Sequence, residues 1–126
     1  LANTGFTATN AYTPSGTAVS LPEWLLPWPT LIRDTLAEID ASDIKEIDPT
    51  FTVIVRVPAF ADIRYPQQLL RGFTDGGLRQ IDVGFRMRFC ETTPLLPALR
   101  HEVEHVRCWR TTGDMDGAHV GCMVGK

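Results

Sequence analysis

The sequence predicts a small α+β domain, and three observations carry that reading. Two segments alternate apolar and polar residues with a period of two, an amphipathic helix precedes them, and a longer helix follows. At 126 residues the chain has room for one modest core and not for two. The expected layout is an extended N-terminal arm over residues 1–20 and a single domain over residues 21–126, with a short sheet, a backing helix and a second helix that carries the chemistry.

The first twenty residues, "LANTGFTATNAYTPSGTAVS", are rich in Thr, Ala, Asn and Ser, without charge and without period. They read as an arm that docks on the body or on a protein partner. A start at Leu1 in place of methionine fits a processed or trimmed product. From Thr30 to Ile39, Leu31, Ile32, Thr35, Leu36 and Ile39 fall on one side at helical spacing, and Pro29 suits the first turn. "FTVIVRVP" (Phe51 to Pro58) sets Phe51, Val53, Val55 and Val57 against Thr52, Ile54 and Arg56, which is the pattern of a strand.

After Asp75–Gly76–Gly77 a second strand runs through "LRQIDVGFRMRFC", with Ile81, Val83, Phe85, Met87 and Phe89 on one face. Gln80, Asp82, Gly84, Arg86 and Arg88 occupy the other, which faces solvent or a ligand. Between the strands, Ala59 to Thr74 reads as an irregular connection with a helical turn around Gln67 to Arg71. The last element opens with Thr93 as N-cap and Pro94 as first residue, runs to about Arg110 and stops near Gly113. Pro97 still lies in its first turn, where a missing N–H costs little.

Composition narrows the function classes. The net charge is −3 and the twelve Lys and Arg form no run, so nothing marks a nucleic-acid or anionic membrane surface. No apolar stretch approaches the roughly 20 residues of a spanning helix. Three cysteines, Cys90, Cys108 and Cys122, are too few for a disulfide framework and leave one unpaired if a single bridge forms.

All three histidines lie in "RHEVEHVRCWRTTGDMDGAHVGC", Arg100 to Cys122. At about 100° per residue, Leu96, Leu99, Val103 and Val106 form one stripe, while His101 and His105 point nearly opposite to it. Two histidines one helical turn apart are about 6 Å apart along the axis and reach a common ion at roughly 2.0–2.1 Å. Glu102 between them would stand beside a water activated by that ion and take its proton.

These residues, His101, Glu102, Val103, Glu104 and His105, resemble the H-E-x-x-H helix of the zincin metallopeptidases. The resemblance covers about Arg79 to His119 and is specific only in the histidine helix. It implies a zincin-like domain that binds Zn2+ and cuts a peptide or protein substrate, with Glu102 catalytic and His101 and His105 as metal ligands. Zincins set an edge strand beside that helix, and Arg79 to Phe89 is the corresponding candidate here. The third ligand stays open among His119, Asp114 and Asp116. Cys108 and Thr111 stand where metzincins have Gly and His, and no Glu follows Glu104. His119 is preferred because neutral imidazole suits zinc and Gly117 allows the chain to turn back.

Other readings of the same residues are on the table. His105, Cys108, His119 and Cys122 form H-x-x-C twice and would make a closed, structural zinc site in a non-enzymatic assembly protein. Alternatively, a Cys108–Cys122 disulfide would pin the His119 loop to the helix. Trp24, Trp28 and Trp109 read as packing, and Arg86 and Arg88 as a solvated strand face.

Overall fold

The computed structural model describes residues 8–56, 60–62, 65–85, 87–88, 91–92 and 94–113. Its order is β1 (Ala8–Tyr12), β2 (Ala18–Pro22), a 3-10 turn (Glu23–Leu25), α1 (Pro29–Ala41) and α2 (Ile44–Ile47). There follow β3 (Thr52–Arg56), β4 (Phe60–Asp62), β5 (Tyr65–Leu70), β6 (Gly72–Asp75), β7 (Gln80–Gly84), β8 (Met87–Arg88), β9 (Glu91–Thr92) and α3 (Leu96–Thr112). The domain is α+β.

Alternation in β3 and β7 organises the core. Parallel pairing places Val53 beside Ile81 and Val55 beside Val83, and β2 adds Val19 beside Val53. These residues share one face of a five-stranded sheet, ordered β1-β2-β3-β7-β6. Ile39 of α1 and Leu99, Val103 and Val106 of α3 close the cluster, none of them more than 2% exposed. The crossover from β2 to β3 through α1 and α2 is what a parallel pair requires, because a tight turn cannot join parallel strands.

Several expectations change. The segment expected as an arm contributes β1 and β2, paired antiparallel with Ala8 opposite Pro22, and the boundary at residue 20 falls inside a strand of the sheet. Burial of Val19 and Leu21 explains this, since alternate small apolar residues suffice to seat a strand on a core. The second predicted strand ends at Gly84, and Met87–Arg88 belongs to a separate pair with β9. Its second face is not open either: Asp82 is 8% exposed and accepts from the Arg56 guanidinium at 3.2 Å and from Gln80 at 3.2 Å. Arg86 and Phe89 lie outside the described residues.

The largest difference is in the connection. In place of an irregular stretch with a helical turn, Tyr65–Leu70 pairs with β4, and Gly72–Asp75 pairs antiparallel with β7. The turn between β6 and β7 contains Arg79 at φ 54°, a left-handed conformation unusual for a residue with a side chain. Asp75 supports that turn by accepting the Leu78 N–H at 3.0 Å. Among the described residues β6 is therefore the last strand of the sheet, and β7, the expected substrate strand, lies between β3 and β6 with both edges paired.

Asp48, 1% exposed, joins three elements at one end of the core. It accepts from the Thr50 N–H and hydroxyl, from Arg79 at 3.2 Å and from Arg110 of α3 at 3.0 Å. Burial alone would raise its carboxyl, but the Thr50 bonds and the Arg110 guanidinium outweigh that and hold it below the usual range.

Candidate metal centre

The helix that carries the histidines begins at Leu96, two residues later than expected, and Thr93 lies outside the described residues. Among the described residues no side chain of its own caps it. Instead Glu38 of α1 accepts the Leu96 N–H at 3.2 Å, one of the donors a helix start leaves unpaired. Burial pushes the Glu38 carboxyl upward, with Asp34 adding to the rise, while the Leu96 and Leu95 N–H groups oppose it. At the far end Gly113, at φ 77°, returns an N–H to the Trp109 carbonyl at 2.7 Å, a left-handed cap that glycine adopts freely.

Leu99, Val103 and Val106 face the sheet as the stripe predicts. Burial extends further around the helix than the stripe, to Glu102, His105 and Cys108. His101 is exposed and His105 is 8% exposed, with ring centroids 4.9 Å apart and planes at 80°. His101, Glu102 and His105 each bring a ligand-competent atom into a group spanning no more than 4.8 Å. Two ligands at roughly 2.1 Å from one ion stand at most about 4.2 Å apart, so small side-chain rotations complete a shared site. Two imidazoles one helical turn apart suit zinc by ligand chemistry, with the Glu102 carboxylate beside them.

Glu102 is 7% exposed and turns toward the edge strand. The Thr74 hydroxyl donates to its Oε1 at 2.8 Å and lies 3.3 Å from its main-chain oxygen. Sequence reasoning missed Thr74 and Gly72 because their segment was read as irregular, and only the long-range pairing of β6 with β7 brings them under α3. His101 also lines an open cleft of about 550 Å³, with Ser42, Asp43, Pro97, Arg100 and Glu104 around it.

Of the expected ligands, His101 and His105 are brought together with the expected base, Glu102. His119, Asp114 and Asp116 lie outside the described residues, as do Cys90 and Cys122. Cys108 is disulfide-bonded. The four-ligand arrangement of His105, Cys108, His119 and Cys122 needs a thiolate at Cys108, which a disulfide sulfur does not provide. Trp109 packs edge-on against Phe51 at 6.3 Å, with the Arg79 guanidinium 5.2 Å over its ring, as expected for a packing residue.

No helix among the described residues is long and apolar enough to cross a membrane. Compared with family models, with characterised proteins and with solved structures, the chain matches none.

Proposed function

We propose that this domain hydrolyses peptide bonds with a single zinc ion held by His101, His105 and a third ligand, of which His119 is the preferred residue. The observation that carries the reading is the gathering of His101, Glu102 and His105 within 4.8 Å on one helix. That helix is seated against strand β6, the last of the sheet among the described residues.

Zinc, when bound, supplies Lewis acidity and lowers the pKa of a water to about 7. Glu102 acts as general base, taking the proton of the attacking water and passing it to the leaving amine nitrogen. An extended peptide would lie along β6, the last strand of the sheet among the described residues, in the way a strand is added to a sheet. This moves the substrate-lining role from the expected Arg79–Phe89 segment to Gly72–Asp75. His101, exposed at the cleft, leaves a path to the ion from solvent.

The deciding experiment pairs Glu102→Gln with Cys108→Ser. Glutamine fills the same space but cannot take the proton, so zinc content and melting temperature should hold while cleavage of a degenerate peptide library is lost. Cys108→Ser should retain the metal. Loss of zinc in Cys108→Ser, with Glu102→Gln indistinguishable from wild type in zinc content, melting temperature and cleavage, would favour a structural site and end the peptidase reading.

A further inference from the structure

We propose that Gly72 and Thr74 of β6 form a socket that positions the Glu102 carboxylate; this rests on Glu102 being the general base. The two residues are two apart on a strand, so they share the face turned toward α3. Thr74 lies opposite Ile81 and Gly72 opposite Val83, both core residues, which sets that face inward.

The glycine is informative. Glycine within a strand weakens it, and where one occurs it often marks the close approach of another group. Gly72 does not have the positive φ that would require glycine for the backbone's sake. A Cβ there would stand 2.9 Å from both Cγ and Oε2 of Glu102 and 3.1 Å from its Cδ. The missing side chain therefore makes room for Glu102, whose carboxylate lies across the strand at this point.

Thr74 fixes the other coordinate. Its hydroxyl has one hydrogen, and the 2.8 Å distance directs it to Oε1 of Glu102. One carboxylate oxygen is thus held from the strand while the group stays within 4.8 Å of both histidines' ligand atoms. A glutamate on an exposed helix would rotate freely toward water. Here a hydrogen bond on one side and a close steric floor on the other restrict it to one orientation, the preorganisation that proton transfer needs. Thr74 is a positioning residue, since it acts on the reacting atoms only through Glu102.

The test uses the full chain, zinc-loaded, in five forms: wild type, Thr74→Val, Thr74→Ser, Gly72→Ala and Glu102→Gln. Thr74→Val keeps the shape and removes the donor, so kcat should fall on the order of 10–100-fold with KM and zinc affinity unchanged. Thr74→Ser should restore kcat to near wild type, because serine keeps the hydroxyl. Gly72→Ala should lower kcat by displacing Glu102, without touching a hydrogen bond. A second readout needs no turnover: the 13Cδ carboxylate resonance of Glu102, assigned by its absence in Glu102→Gln. It should move in Thr74→Val and Gly72→Ala and stay in place in Thr74→Ser.

Unchanged kcat and an unmoved resonance in both Thr74→Val and Gly72→Ala overturn the socket while leaving the general-base reading intact. Full activity in Glu102→Gln, or no cleavage by the zinc-loaded wild type, overturns the general-base reading instead, and the resonance then decides by itself whether the socket holds the carboxylate. Zinc loss in Thr74→Val would make Glu102 a metal ligand and overturn both.

Discussion

Asp48→Asn should destabilise the domain at neutral pH and do so less in acid. Asparagine keeps an oxygen for the two Thr50 donors that meet Oδ1, but sets an amide N–H2 where Oδ2 now receives Arg79 and Arg110. Donor would face donor. Both arginine side chains are about half exposed, at 47% and 51%, and can turn to water, so each lost pair is worth only about 0.2–1 kcal/mol. The stranded amide stays buried, and an unsatisfied buried donor costs roughly 1–3 kcal/mol. The combined loss is about 1.4–5 kcal/mol, and at about 3–5 °C per kcal/mol for a chain of this size the melting temperature should drop by about 4–25 °C.

The pH dependence follows from the depressed carboxyl. Because folding lowers the Asp48 pKa from its ordinary 3.8, its contribution is fully present above 3.8 and is lost as pH falls through the folded value. Urea denaturation at pH 7 and near pH 3, wild type against variant, measures the gap directly. A gap of the same size at both pH values would refute the electrostatic account, and no gap at pH 7 would refute the structural one.

The purified protein should bind about one equivalent of zinc, and zinc at a hundredfold excess over its Kd should stabilise the fold by about 2.7 kcal/mol; His101→Ala and His105→Ala should abolish that gain in thermal scans, and a metal content near zero would count against any zinc site. His119→Ala should weaken zinc binding far more than Asp114→Ala or Asp116→Ala in competition with a chromogenic chelator, and the reverse ranking would assign the third ligand to an aspartate. Glu38→Gln should be at least as stable as wild type at pH 7: burial raises the Glu38 pKa above 4.5, so wild-type stability declines as pH rises from 4.5 through the folded value, and glutamine removes that decline while its carbonyl still accepts the Leu96 N–H. Melting temperatures at pH 4.5 and pH 7 compare the two slopes. Leu99→Ala, at a fully buried position, should cost about 2–5 kcal/mol in urea titration, and a smaller loss would mean that the α3–sheet contact is looser than described.

What could be read from the chain alone followed from local period. α1, β3, the start of β7 and α3 announce themselves through residues that recur every two or every three to four positions, such as Val53 and Val55 or Leu99, Val103 and Val106. The dyad of His101 and His105 with Glu102 between them was legible for the same reason, since a helix fixes their relative directions. What stayed hidden depends on distant pairing. "YPQQLLRGFTD" has no clear alternation, and β5 and β6 become strands because β4 and β7 supply their partners. Asp82 looked like a surface residue in a perfect alternation until Arg56, from a strand 26 residues away, covered it. Glu38 and Thr74 reach the histidine helix only through packing of α1 and β6 against it, so no spacing rule could have placed them there.

The histidine helix is anchored at its start by Glu38, along its length by Thr74 and the sheet, and near its end by Asp48 through Arg110. Small zinc domains such as zinc fingers fold only when the ion arrives, so chelation unfolds them. Here the turn from His101 to His105 is held by contacts that involve no metal. Its amides should resist hydrogen exchange with or without zinc, opening only with the whole domain. If zinc binds as proposed, metal capture and chain folding are separate events.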